Sequence, residues 1–232
     1  MCGRYASSRG AEELAGSFEV DQLPEQQLPP RWNIAPTDLV YAVVQGQTRN
    51  LRVLRWGLVP SWAKDAKGAA RLINARQETV ASKPAFRSAY QHRRCLLPAD
   101  GYYEWQQDGA RKQPWFLRSR DGAPLAMAGL YERWSPPGAE PLWTCTVLTT
   151  HAADELSHVH DRTPLLIPRP DWARWLDPDL TDPGADLLRP GLAGTLEAWP
   201  VSAAVGNVRN DGPELVRPVE PGADEPNRPA LF

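Results

Sequence analysis

A β-rich α+β fold is the class this sequence predicts, on three observations. Short runs of β-branched and aromatic residues recur along the chain. Helical stretches are few and short. Strands do not alternate with long amphipathic helices, as a doubly wound parallel sheet would require.

In chain order, apolar spacing at Leu14 and Phe18 predicts a helix over 8–18, with Ser8 as its N-cap. The Pro- and Gln-rich stretch 21–31 reads as a loop. Strands are predicted at 40–44, 51–58, 95–97, 102–105, 115–118, 125–134, 143–149 and 165–167. A helix over 78–90 should break or restart at Pro84, because proline removes a backbone donor. Further short helices are predicted at 152–157 and 171–176. From Val219 the chain is Pro-rich, acidic and poor in apolar residues, so 219–232 reads as a disordered tail after a single domain over 2–218.

The 232 residues can bury one sizeable core. No apolar run is long enough to span a membrane, and Met-Cys-Gly-Arg-Tyr has no secretory h-region. A cytoplasmic, monomeric protein is the expectation. Cys2, Cys95 and Cys145 are odd in number and lack CxxC spacing, so neither a disulfide framework nor a zinc site is expected. Cys95 and Cys145 lie in apolar or alternating segments and read as core residues.

A net charge of −2 excludes a broadly basic nucleic-acid binder. Charge is unevenly spread, however. Residues 71–94 hold six basic side chains against Glu78 alone, whereas 211–232 hold five acids against Arg217 and Arg228. A local basic surface still suits a phosphate backbone.

Cys2 carries the most distinctive chemistry. Loss of Met1 would give one residue an α-amine and a thiol on adjacent carbons. The amine is partly neutral near pH 7. It can condense with an aldehyde, and the thiol can then close a five-membered thiazolidine. The same residue can equally serve an amidohydrolase as nucleophile.

Four polar segments bounded by turns follow: 32–36, 73–78, 100–105 and 157–164. Each has a structural alternative. Asn33 suits a turn, Asn74 a helix cap, Arg76 a pair with Glu78, and Glu104 a solvent-facing strand position. His158 and His160 would share a face on a strand, but no third ligand is near, so no metal and no cofactor is predicted.

Together the motifs resemble one family. Met-Cys-Gly-Arg-Tyr, Asn33-Ile-Ala-Pro36, Arg55-Trp-Gly-Leu-Val-Pro60, Ile73-Asn-Ala-Arg76, Asp100-Gly-Tyr-Tyr-Glu-Trp105, His160-Asp-Arg-Thr-Pro164 and Val205-Gly-Asn-Val-Arg209 are similar, in order, to the SRAP (SOS-response-associated peptidase) family. The resemblance runs from Cys2 to about Val219. It implies a domain whose short helices pack around a mixed, partly barrel-like sheet. It also implies a protein that cross-links to abasic sites in single-stranded DNA through Cys2, as a thiazolidine. Asn74, Glu104 and His160 match the family's other active-site positions. Arg4, Arg76 and Arg162 match arginines that hold backbone phosphates, and Pro36 and Trp105 match positions against flanking nucleotides. The polar loop 63–70 has no clear counterpart.

Three other readings stay open on the sequence. One is a cysteine peptidase, or an autopeptidase acting on Met1, with His160 as base and Asn74 orienting. Another is a non-covalent single-strand-binding module. The third is an abasic-site lyase that β-eliminates from the same imine.

Overall fold

The computed structural model describes residues 2–109, 111–136, 138–152, 156–188 and 194–220. Its elements are β1 (Tyr5–Ser7), α1 (Ala11–Phe18), β2 (Arg31–Ile34), β3 (Leu39–Gln45), β4 (Arg49–Trp56), β5 (Asn74–Arg76), α2 (Arg87–His92), β6 (Arg94–Ala99), β7 (Gly101–Asp108), β8 (Arg111–Ser119), β9 (Leu125–Trp134), β10 (Leu142–His151), β11 (Arg162–Pro164), α3 (Trp172–Leu176) and β12 (Leu196–Pro200). The predicted class holds: the protein is β-rich, with short helices around a partly closed barrel.

The strands form two sheets. One has the order β12-β8-β7-β1-β2, and the other runs β11-β10-β4-β3-β6-β9. In the second, β9 also pairs with β10 over Leu142–Val147, so the path β10-β4-β3-β6-β9 returns on itself. Strand β10 is the seam. It pairs in parallel with β4 at Thr144 and Cys145, and then with β5 from Val147 to Thr149. The chain leaves β4 at Gly57, whose φ of +127° is the left-handed side that glycine tolerates. A Cβ there would sit 2.8 Å from the Ala69 carbonyl oxygen, so the loop over 57–73 folds back only on a bare backbone.

Alternation explains why the sheet buries both faces. Val40, Ala42 and Val44 join Cys2, Tyr5, Trp56, Cys95, Tyr102, Cys145 and Val147 in a core shared by the two sheets. Tyr41 and Val43 point the other way, onto Leu14, Phe18, Tyr90, Trp172 and Trp175 from the three helices. Each large apolar side chain buried there contributes about 1.5–3 kcal/mol. A third cluster joins Ala6, Tyr103 and Phe116 to Val201, Val205 and Leu215, so the C-terminal segment covers the outer face of the β7 sheet. Among the described residues no helix is long and apolar enough to cross a membrane.

Several expectations shift. Helix α1 begins at Ala11 behind Gly10, because Ser8 donates its hydroxyl to Asp100 (2.7 Å) instead of capping. The helix expected over 78–90 shrinks to Arg87–His92; residues before it form turns as far as the α2 N-terminus. Segment 165–167 bridges β9 and β10 through isolated bonds, and the regular strand lies earlier, at Arg162–Pro164. Strands β1, β2, β5 and β12 were not anticipated, since three to five residues give too little alternation to read. Half of the helix predicted over 152–157 falls on 153–155, and most of the 219–232 tail on 221–232, outside the described residues.

Arg94 staples the helical side. Its buried guanidinium donates to the carbonyls of Tyr90, Gln91, Trp175, Asp177 and Leu180. Burial lowers its pKa from the ordinary arginine value. Arg94→Ala would orphan these acceptors and leave a void. The expected loss is about 3–5 kcal/mol, read as a lower urea midpoint at unchanged slope.

Candidate active site

The register of β1 assembles the site. Tyr5 pairs with Tyr102, and Tyr103 N–H donates to the Arg4 carbonyl (2.9 Å). Extending that register brings Glu104 alongside Gly3 and Cys2. On the other flank Tyr5 pairs with Ile34, which puts Pro36 level with Gly3. Pro36 sits in a tight turn closed by Asp38 N–H onto the Ala35 carbonyl (3.1 Å), with Thr37 at φ +78°. Proline at the second turn position and a positive φ at the third follow the type II pattern.

Cys2 is fully buried in the chain that carries Met1. Burial, reinforced by the Glu104 charge, pushes its thiol well above the usual cysteine range. Asn74, two residues before the end of β5, donates from Nδ2 to the Cys2 carbonyl (2.7 Å). Its Oδ1 is buried and carries no hydrogen bond among the described residues. Asn74 is therefore a clamp on Cys2 with a free acceptor, not the helix cap that sequence alone permitted.

Glu104 is 3% exposed, which removes the solvent-facing alternative. Burial raises its carboxyl to about 7. His160 Nε2 lies 3.9 Å from Glu104 Oε2. The His160 ring is oriented from behind, since the Arg162 backbone N–H donates to Nδ1 (2.9 Å). That bond leaves the proton of the neutral imidazole on Nε2, facing Glu104. Burial pulls the His160 pKa below its ordinary value. Asp161 Oδ1 is 2.8 Å from Nδ1 and can accept only from the protonated ring. Tyr102 Oη and Thr163 Oγ1, 2.7 Å apart, tie β7 to β11 and fix the spacing of the two groups.

A cleft of about 610 Å³ opens over these residues, lined by Glu104, Trp105, Gln107, Lys112, Val159, His160 and Gly206. The Arg4 guanidinium lies over the Trp105 ring, 5.9 Å from its centroid. Arg76 follows Asn74 on the same face of β5 and is exposed. Arg162 differs. It is 9% exposed, forms a two-pronged pair with Glu78 (2.7 and 3.2 Å), and also donates to the Thr149 carbonyl (2.7 Å). Glu78 therefore pairs with Arg162 and not with Arg76.

Other sequence alternatives resolve in the same way. His158 lies in a turn, edge-on to Trp115 at 5.6 Å, and does not share a strand face with His160. Among the described residues no group of three or more His, Cys, Asp or Glu is arranged to hold a metal ion. Gln107 and Lys112 on the β7–β8 hairpin line the cleft without any motif to announce them. Trp62, 67% exposed in the loop that leads to β5, stood out in sequence only as the edge of an unplaced loop.

The family model for SRAP, SOS response associated peptidase, matches residues 1–208. The chain belongs to the SRAP family. Among SRAP relatives, the abasic site processing protein YoqW of Bacillus subtilis is 39% identical, over 93% of this chain and 99% of its own. The abasic site processing protein YedK of Escherichia coli is 36% identical, over 94% and 100%. The abasic site processing protein HMCES of Gallus gallus is 33% identical, over 96% and 79%. A crystal structure of a Bacteroides thetaiotaomicron protein superposes with a TM-score of 0.81 at 24% identity, over 94% of this chain and all of that one, and speaks to the SRAP fold alone. A Bordetella bronchiseptica protein gives 0.74 at 26% identity, over 87% and 100%.

Proposed function

We propose that this protein processes abasic sites in single-stranded DNA, and does so by bonding Cys2 covalently to the lesion. The observation that carries the reading is one constellation: Cys2 held by Asn74 beside a buried carboxyl that burial raises to about 7 and a histidine turned toward it.

The chemistry follows from the groups. Glu104 in its acid form protonates the ring oxygen of the closed sugar and frees the C1′ aldehyde. The Cys2 amine, released when Met1 leaves, attacks C1′. Loss of one water gives an imine. The raised pKa of the buried thiol makes the amine the first nucleophile and the thiol the second. The sulfur then bonds to C1′, its proton goes to nitrogen, and the thiazolidine closes. Asn74 Oδ1 offers an acceptor to the amine or a sugar hydroxyl. His160 holds or moves a proton at Nε2. Arg4 and Arg76 hold phosphates, Arg162 adds its charge once Glu78 shares it, and Pro36 and Trp105 pack against neighbouring nucleotides. β-Elimination from the imine is the minor branch, limited by how fast the thiol closes the ring.

A general peptidase fits less well. It needs a thiolate paired with an imidazole, whereas burial disfavours the Cys2 thiolate and His160 faces Glu104. The test is an intact mass after the Met1-free protein meets an oligonucleotide with one abasic site. A species equal to the sum of both less one water, stable to denaturation, is expected; a mass that never changes overturns the proposal.

Phosphate contacts carry their own prediction. Arg76→Gln should weaken binding to intact single-stranded DNA several-fold. It should also flatten the slope of log K against log salt by about 0.7, measured by fluorescence anisotropy.

A further inference from the structure

Asn33 is completely buried, and its side chain is spent on two partners at once. Its Oδ1 accepts from Arg4 Nη1 (2.7 Å). Its Nδ2 donates toward the carbonyls of Val205 (3.2 Å), Asn207 (3.1 Å) and Asn210 (2.7 Å). Arg4 Nη1 also reaches the Val205 carbonyl (2.8 Å), closing a three-way joint. The backbone of the same strand is held from the far end of that loop, where Asp211 Oδ1 accepts from Trp32 N–H (2.7 Å) and Asn33 N–H (3.1 Å).

Both partners of the joint adjoin the cleft wall. Arg4 lies over the ring of Trp105, which lines the cleft, and Gly206 of the loop is part of the cleft wall. The loop also carries Val208, 53% exposed, and the exposed Arg209. A segment of short 3-10 turns has little internal cohesion, so its place on the body depends on these bonds. Only an amide can serve here, because one end must accept from a cation while the other donates to carbonyls.

We propose that Asn33 is a positioning residue for DNA: it fixes the Arg4 guanidinium beside Trp105 and locks the 205–210 loop as the facing wall, so that one buried amide sets the geometry in which the strand is held. The proposal rests on the single-stranded DNA reading above. It assigns Asn33 no contact with the reacting atoms.

The experiment uses intact single-stranded DNA and the full chain in a Cys2→Ala background, so that only non-covalent binding is read. Asn33→Ala should weaken binding about 10-fold and flatten the salt slope by about 0.7, the share of one lost phosphate contact. In a double-mutant cycle with Arg4→Gln the two losses should be less than additive, since Asn33 acts through Arg4. Hydrogen exchange should quicken in 203–211 and stay slow in the barrel strands. In the reactive protein, the half-saturating abasic DNA concentration should rise while the rate at saturation falls less than about 3-fold.

Should Asn33→Ala fail to fold, Asp211→Ala removes the acceptor used by the Trp32 and Asn33 N–H groups and loosens the same loop from its other end. It should quicken exchange in 203–211 and weaken binding in parallel. Faster loop exchange with unchanged affinity overturns the proposal, as does full additivity with Arg4→Gln. Loss of binding with Asn33 intact overturns the functional reading and the proposal together, whereas binding indifferent to Asn33→Ala overturns the proposal alone.

Discussion

Replacing Cys2 with alanine should abolish the denaturation-resistant adduct with abasic DNA. The amine survives in Cys2→Ala, so an imine can still form, but nothing traps it. The expected products are a reversible imine, captured only when borohydride is added, and a larger share of strand cleavage by β-elimination. Stable adduct should fall at least 100-fold, the order of effect for losing a covalent nucleophile. Denaturing gels with and without borohydride read both outcomes. A chain that keeps Met1, or carries an N-terminal tag, should fail at an earlier step. Its Cys2 nitrogen is an amide, so no thiazolidine can close and no denaturation-resistant adduct should form without borohydride. An adduct of wild-type yield in Cys2→Ala would sink the proposed chemistry.

Glu104→Gln should show the second large effect, and its pH dependence is what identifies the role. A positioned general acid contributes about 10²–10⁴ in rate, so cross-linking should slow by that order near neutral pH. In the wild-type protein the acid form is half populated near pH 7 and falls tenfold per unit above it. The Cys2 amine gains its neutral form as pH rises. The rate should therefore pass through a maximum. In Glu104→Gln the falling limb should vanish and only the amine's rise remain. A variant as fast as wild type, or one that keeps the falling limb, removes Glu104 from the ring-opening step.

Stability should move too. A carboxyl raised in the folded state stabilises fully below its unfolded pKa, and that contribution is lost as pH climbs through the folded value. The wild-type protein should lose on the order of 2–4 kcal/mol between roughly pH 4.5 and 7 from this group. Glu104→Gln should lack that loss, which urea midpoints across the range would register.

The site was legible in the sequence to different depths. Cys2 stood out for its paired amine and thiol, but its position alone left it an incidental terminal residue and the aromatic strand left Glu104 open as solvent-facing; their place among the ordered motifs singled both out. The long strands β3, β4, β9 and β10 carried enough alternation to be read within a residue or two. The short strands β1, β2 and β5 did not, although the site is built on them. Three or four residues hold no periodicity, and these strands exist because longer neighbours offer them hydrogen-bond partners.

Glu78 shows the same limit in electrostatics. Sequence proximity favoured Arg76 as its partner, yet the backbone turns Glu78 toward Arg162, 84 residues away. Asn33 was open as a turn residue, and only the arrival of the 205–210 loop made it a buried joint.

What the sequence determined alone is the chemistry available: an amine-and-thiol terminus, an acid among aromatics, a histidine, and arginines outnumbering lysines. Residue types and motif order specify reactive groups and the class of fold, because both are written in local composition and pattern. The tertiary structure decided which groups meet and in what state. Burial moved Glu104 to about 7, the Arg162 backbone set the His160 tautomer, and Asn74 and Asn33 became clamps. Those properties depend on distance and solvent access between residues far apart in the chain, and neither quantity exists until the sheets close on each other.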